Sequence, residues 1–454
     1  MTAFSRTSHA SPFGRLLTIR RRHLDLAGLE LPVTRLAIFF AVFPALRPAE
    51  VFFTYSDILF CVSAVLLLLS GRLRFAPLGP VTVPWMTAFA VLSGGLILSS
   101  LLGEAPERVL VVLGQYAFAY LLLAYIIVRT DESVVDTLVK TFVLGTVCVN
   151  AFGLAVYFTG TDETFRFVTG SGRLASFMDN PNANANVIAL TLPLLLYLWF
   201  ARKWRRVYVL VSLAILAYAL VAASSVGGLL WSLAGVMVFL ALTINWRVLV
   251  GLAVCAAVAI PLLDKYGPSV LPDAFQVRVL GAMQSGNIED AGTFSFRMGL
   301  IHEALDVVDD QILFGLGADQ YRATSDLGAP VHDVYLLLWA EGGLPALIGW
   351  LMLPQIIALM AFWTFVRPSG RLVGATTLAV VTVFLLAATG NSHMYARFWV
   401  VPLHLCMALL MVSWASHRRL PSPRAAAVPH GPRSAPRQLP HRNRQPAPAM
   451  REPR

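Results

Sequence analysis

Three short stretches of this 454-residue chain hold the residue types that group transfer needs. In PVHDVYLLLWAEGGLPALIGWLM, His332 opens an apolar helical run that breaks at Gly342 and Gly343 and resumes as a membrane-length helix. An imidazole near a helix N-terminus feels the positive end of the dipole, which disfavours its protonated form. A neutral imidazole is what a general base requires. A histidine that only caps a helix at the headgroup layer is the competing reading. In FSFRMGLIHEALDVVDDQILFGLGADQY, Arg297 opens an amphipathic segment, and Gly315 and Gly317 allow a tight turn with positive φ. A guanidinium there could clamp a pyrophosphate bidentately, which a lysine does less well; the alternative is a surface ion pair with Glu303 or Asp306. Asp306, Asp309 and Asp310 scatter around a helix with no histidine at ligand spacing, so no metal site is expected. In the third stretch Arg173 precedes SFMDNPNANANVIAL, where Asn180, Pro181 and Asn182 make a turn leading into a helix, either as part of a site or as plain capping.

The elements that must position these residues are membrane helices. Hydrophobic residues make up 57% of the chain and charged residues 13%, which no soluble domain of this length carries. A span needs about 20 apolar residues to cross about 30 Å of hydrocarbon. Twelve such segments are expected at 31–47, 51–70, 81–102, 109–128, 136–158, 184–200, 207–224, 226–244, 248–263, 344–366, 372–390 and 398–416. Threaded from a cytoplasmic N-terminus, ten basic residues fall in short cytoplasmic loops and five in external ones, as the positive-inside rule requires. Both termini are then cytoplasmic, and two long external connections result, at 159–183 and 264–343. The second should fold into a small helical cap, since loops of that length are rarely mere connectors. Residues 1–30 read as a basic cytoplasmic leader, because HLDLAGLE is too polar for a signal peptide. Residues 417–454 read as a disordered Pro/Arg-rich tail drawn to anionic membrane lipid. The net charge of +10 resides in tails and short loops, so membrane topology explains it and nucleic acid does not. Cys61, Cys148, Cys255 and Cys406 each fall in an apolar segment and read as small core residues.

The order NPN before a mid-chain span, then an external FSxR segment ending in GLG, then a histidine opening a helix that continues AEGGLP, resembles the O-antigen ligase and polysaccharide polymerase family from about Gly172 to about Trp350. The resemblance implies an all-α polytopic bundle of about twelve transmembrane helices with a helical periplasmic cap, similar to membrane-embedded GT-C-type glycosyltransferases, in a bacterial inner membrane. It further implies metal-independent, inverting transfer from an undecaprenyl diphosphate-linked glycan donor to a lipid or glycan acceptor, with no cofactor. The family's histidine matches His332 as catalytic base, and its arginines match Arg173 and Arg297 at the diphosphate; Asn180, Asn182, Arg322, Tyr335 and Glu341 are candidate supporting residues. Two departures stand out. Asp333 replaces an asparagine in the run HNxYL, and Ser225-Val226-Gly227 replaces Ser-Arg-Gly, so either another cation such as Arg322 or Arg397 substitutes or the protein handles a different donor. Ligase and polymerase differ in acceptor, which the motifs do not encode. A transporter or lipid-linked glycan flippase is the alternative from another class, favoured by Asp57, Gln115, Lys140 and Asn150 in or near spans. The absence of duplicated halves weighs against it.

Overall fold

The computed structural model describes residues 26–419, except for 49–52, 75, 104–105, 163–165, 179, 244–249, 252–253, 255–256, 259–260, 262–264, 266, 268–270, 288, 290–291 and 293. Met1–Ala415 forms one compact unit and Ser416–Arg454 a second. The tail beyond Arg419, most of the leader, most of the span expected at 248–263, and Cys255 lie outside the described residues.

The principal helices are α1 (Leu26–Phe40), α2 (Tyr55–Leu69), α3 (Thr82–Leu102), α4 (Pro106–Ile127), α5 (Glu132–Thr159), α6 (Pro181–Phe200), α7 (Arg206–Ala223), α8 (Val226–Thr243), α9 (Phe294–Asp310), α10 (Val334–Phe365), α11 (Arg371–Ala388) and α12 (Arg397–Arg419). Nine helices among the described residues are long and apolar enough to cross a membrane, and this is an all-α multi-pass membrane protein. The first two expected spans are shorter than the sequence suggests. α1 and α2 have 15 residues each, or about 22 Å at 1.5 Å per residue, less than a full hydrocarbon core. Of the described cysteines only Cys406 is buried; Cys61 is exposed on the outside of α2 and Cys148 is intermediate, so the core expectation holds for one of the three.

α3 and α10 pack backbone to backbone. A Cβ on Gly349 would lie 2.2 Å from the Leu92 nitrogen, and one on Gly95 would lie 2.5 Å from the Ala346 nitrogen. In lipid, where apolar side chains gain little by meeting each other, such small-residue contacts are how helices associate.

The break expected after the histidine lies inside α10 at Gly343, with φ 67° and ψ −177°. Its chemistry is legible residue by residue. Pro345 has no N–H, so the Glu341 carbonyl would lack its helical donor; it accepts instead from the Gly317 N–H at 2.9 Å. The Ala340 carbonyl accepts from Leu316 N–H at 2.8 Å, and Leu344 N–H donates to the Ile312 carbonyl at 3.2 Å. Segment 312–317 is thus inserted into the helix as a splint. Side chains would block it from both sides, since a Cβ on Gly343 would sit 2.1 Å from the Leu313 carbonyl oxygen and one on Gly315 2.4 Å from that of Ala340. Ser100 on α3 anchors the same loop by accepting from Ala318 N–H at 2.9 Å. Above the short N-terminal part of α10, α9 packs Leu300, Ala304 and Val308 against Tyr321, Val331, Leu337 and Ala340, a small core separate from the main one.

Gly343→Ala should therefore lower stability by about 2 kcal/mol or more, through a glycine-only backbone conformation and a steric clash. Gly94→Ala, on a face of α3 with nothing within 4 Å, should leave it unchanged or slightly raised. Thermal unfolding of the detergent-solubilised variants checks this; equal shifts would refute the splint.

Candidate functional site

α6 begins as its residues dictate. Asn180 caps it by accepting from Asn182 N–H at 2.8 Å, with Pro181 at the first helical position where no N–H is needed. The NPN turn is thus a cap, and it also presents Asn182 to the Arg173 guanidinium, which donates to Asn182 Oδ1 at 2.7 Å and from Nε to the Ala223 carbonyl at 3.0 Å. Arg173 is 8% exposed. Both of its partners are neutral, so its charge is held in place without being cancelled.

Arg173 lines a cavity of about 370 Å³ together with Asn182, Asn186, Trp231, Arg278 and Arg297. Ser225, Val226 and Gly227, at the start of α8, complete one wall. Ser225 Oγ caps that helix by accepting from Gly228 N–H at 3.2 Å. The positive end of α8 therefore adds to the arginines, as in many anion sites. Burial, then the charges of Arg278 and Arg297, push the Arg173 guanidinium down to about 10. Burial followed by Arg297 lowers Arg278, and burial lowers Arg297. Among the described residues no carboxylate pairs with Arg173 or Arg297. Three partly desolvated cations facing one cavity give it a strongly electropositive lining.

His332 does not line this cavity, but it feels the charge of Arg297, which does. Its Nδ1 lies 3.2 Å from Ser392 Oγ, on the loop after α11 whose Thr389 and Gly390 line the cavity wall. Burial and then the Arg297 charge lower its pKa below the ordinary 6.5. Both causes favour the neutral ring. Asp333, next in sequence, caps α10: its Oδ1 accepts from Tyr335 N–H at 2.9 Å and Leu336 N–H at 3.1 Å. The side-chain oxygen of an asparagine would cap equally well, so this departure from the family pattern leaves the local geometry intact.

The remaining expected residues sit elsewhere. Tyr335 donates to the Leu385 carbonyl at 2.7 Å and packs edge-on against Trp350, tying α10 to α11. Glu341 is buried in the break, where the N–H groups of Asp319 and Tyr321 and the charge of Arg322 face its carboxylate. Neither Arg322 nor Arg397 lines the cavity. Arg397 pairs with Asp57, donates to Gln115 at 3.0 Å and lies 4.2 Å over the Phe118 ring. The cation facing the start of α8, where Val226 replaces an arginine, is Arg278, which the sequence reading missed. It lies against Gly292, where a Cβ would approach its terminal nitrogen to 2.5 Å. No spacing signal marks it. Asn186 did carry one, because it follows Asn182 by four residues and shares its helix face; it is 4% exposed, and its Oδ1 has no hydrogen-bond partner among the described residues. Among the described residues no group of three His, Cys, Asp or Glu side chains could hold a metal ion.

No curated protein matches this chain. Residues 211–351 match the O-antigen ligase family model, a stretch that contains α8, Arg278, Arg297, His332 and the break at Gly343. The chain carries an O-antigen ligase family domain.

Proposed function

We propose that the protein transfers a glycan from an undecaprenyl diphosphate-linked donor to an acceptor hydroxyl at the periplasmic face of a bacterial inner membrane, as a metal-independent inverting glycosyltransferase. The observation that carries this reading is the cavity where Arg173, Arg278 and Arg297 meet the start of α8, together with a histidine whose pKa is lowered by burial and by the Arg297 charge. In this reading the donor's diphosphate lies among the arginines and the prenyl chain lies between helices. His332 accepts the proton of the acceptor hydroxyl as its oxygen bonds the anomeric carbon. The bond from that carbon to the diphosphate oxygen breaks, and the electron pair leaves with prenyl diphosphate, whose charge the guanidiniums stabilise. α9 and the short helices at 273–285 form the periplasmic cap that receives the acceptor, with leader and tail on the cytoplasmic side. The family description favours a ligase over a polymerase. Three of the four polar groups that would suit a transporter pathway are engaged in fixed pairs among the described residues, Asp57 and Gln115 with Arg397, and Asn150 with Asn184 at 2.9 Å, Lys140 being the exception.

The test is incubation of purified protein with a lipid diphosphate-linked glycan and candidate acceptors in EDTA, following prenyl diphosphate release. His332→Ala should slow release by about a hundredfold to ten-thousandfold, the usual worth of a general base; unchanged release would sink its assignment. Product size separates single attachment from polymerisation.

Arg297→Lys should cost about ten- to a hundredfold, because a point charge lacks the guanidinium fork. A lysine variant of wild-type activity would show that no bidentate contact is made there.

The pH profile of kcat/KM tests the coupling of these two residues. A lowered imidazole pKa places the acid limb below pH 6.5. Arg297→Gln removes a positive charge that opposes protonation, so the limb should move to higher pH; a limb that stays in place would uncouple Arg297 from the base.

A further inference from the structure

α5 has 28 residues, about 42 Å at 1.5 Å per residue, and the segments that carry the cavity just described meet its C-terminal half, Asn184 at Asn150 and Ser176 at the Val149 carbonyl. At its N-terminal end is a second cleft, of about 760 Å³, bounded by the start of α1, the loop after α2 and residues 128–134. Arg35, Arg72, Arg74 and Arg129 line it, together with the two carboxylates Glu30 and Asp131. Both carboxylates are already engaged. Glu30 is 3% exposed and accepts from Thr34 Oγ1 at 2.7 Å, Ser63 Oγ at 3.2 Å and an Arg129 terminal nitrogen at 2.5 Å. Asp131 caps α5, accepting from Ser133 N–H at 2.9 Å and Val134 N–H at 3.1 Å.

The cleft has capacity left for an anion. Arg129 Nε is buried and has no acceptor among the described residues. Its guanidinium is lowered by burial, and beyond the compensating pull of Glu30 it is lowered further by the neighbouring charges of Arg72 and Arg74. Arg74 donates to Thr130 Oγ1 at 3.2 Å, so the second loop holds it over the cleft. The sequence's arginine distribution assigns these loops to the cytoplasmic side, where the leaflet is anionic.

We propose that this cleft binds a phosphate-bearing anion, either the headgroup of an anionic phospholipid or a free phosphate ester, at the membrane surface opposite the transfer site. The volume suits a headgroup, and the guanidiniums match the planar, forked donor pattern that phosphate oxygens accept. The occupant would link α1, the α2–α3 loop and the start of α5.

The experiment uses the full chain in detergent and reads binding; pyrophosphate held at the transfer cavity is untouched by the cleft variant, so the part of the binding that the cleft variant removes tests this proposal independently of the transfer reading. Phosphatidylglycerol or phosphatidylcholine is titrated in mixed micelles, and inorganic pyrophosphate in a separate lipid-free arm. The cleft variant is Arg35→Gln with Arg74→Gln, which leaves the Arg129 to Glu30 pair intact. The control is Arg205→Gln with Arg206→Gln, two exposed arginines at the same end of the bundle, where Lys203 bridges to Asp136 at 2.7 Å near the start of α5. Wild type should prefer phosphatidylglycerol or bind pyrophosphate, the cleft variant should bind about 30-fold more weakly, and the control should match wild type. Pyrophosphate binding with that variant dependence identifies a soluble phosphate ester as the occupant class, and phosphatidylglycerol alone identifies a lipid headgroup. Equal losses in both variants would reduce the effect to diffuse surface charge and overturn the proposal, as would a wild type indifferent to both anions.

Discussion

The interrupted helix is the constraint on which the site depends. A backbone carbonyl left unpaired in an apolar bundle costs several kcal/mol, and Pro345 guarantees that the Glu341 carbonyl has no donor within its own helix. The 312–317 segment resolves this by donating from Leu316 and Gly317 and accepting from Leu344. With those groups paired, the part of α10 before Gly343 becomes an independent short helix with its own cap at Asp333 and His332 just before it. The same segment follows directly from α9, whose first turn carries Arg297. The placement of the histidine relative to the arginine is therefore set by backbone hydrogen bonds remote from both side chains.

Two buried arginines show how this bundle separates scaffold from site. Arg397 and Arg173 are each 8% exposed. Arg397 meets a carboxylate, an amide and an aromatic face, which neutralise its charge and make it a fastener between α12, α2 and α4. Arg173 meets a carbonyl and an amide oxygen, which orient the guanidinium and leave its charge exposed to the cavity. Retaining a desolvated, uncancelled cation is costly, and placing two more arginines opposite it compounds the cost. In the proposed reading the donor's diphosphate offsets the mutual repulsion of these guanidiniums.

The two departures from the family's motif pattern have different consequences. Asp333 is a like-for-like substitution in capping chemistry, because the oxygen that accepts from the first-turn amides is common to Asp and Asn. Val226 removes a guanidinium from the start of α8. Arg278 lines the same cavity from the helical segment before α9, so the positive charge is preserved in space although it has moved in sequence.

The sequence by itself determined the membrane class, the order of nearly all the helices and the small set of residues around which the site forms, because hydropathy, capping and breaking are local properties of the chain. Arg173, Asn182 and Arg297, singled out along the chain for that reason, do meet at one cavity, and His332 lies within the field of Arg297. Helix length at the N-terminal end was read less well, since apolar composition continues past the point where α1 stops and begins before the point where α2 starts. Tertiary structure alone decided that GLG and EGG, read as two separate turn signals, are the two sides of one splint, and that Asp57 and Gln115 belong to Arg397. It also brought in Arg278 and Ser392. These depend on which unpaired carbonyls and which buried charges meet across the bundle, and no period or spacing in a single chain encodes a meeting between residues tens to hundreds of positions apart.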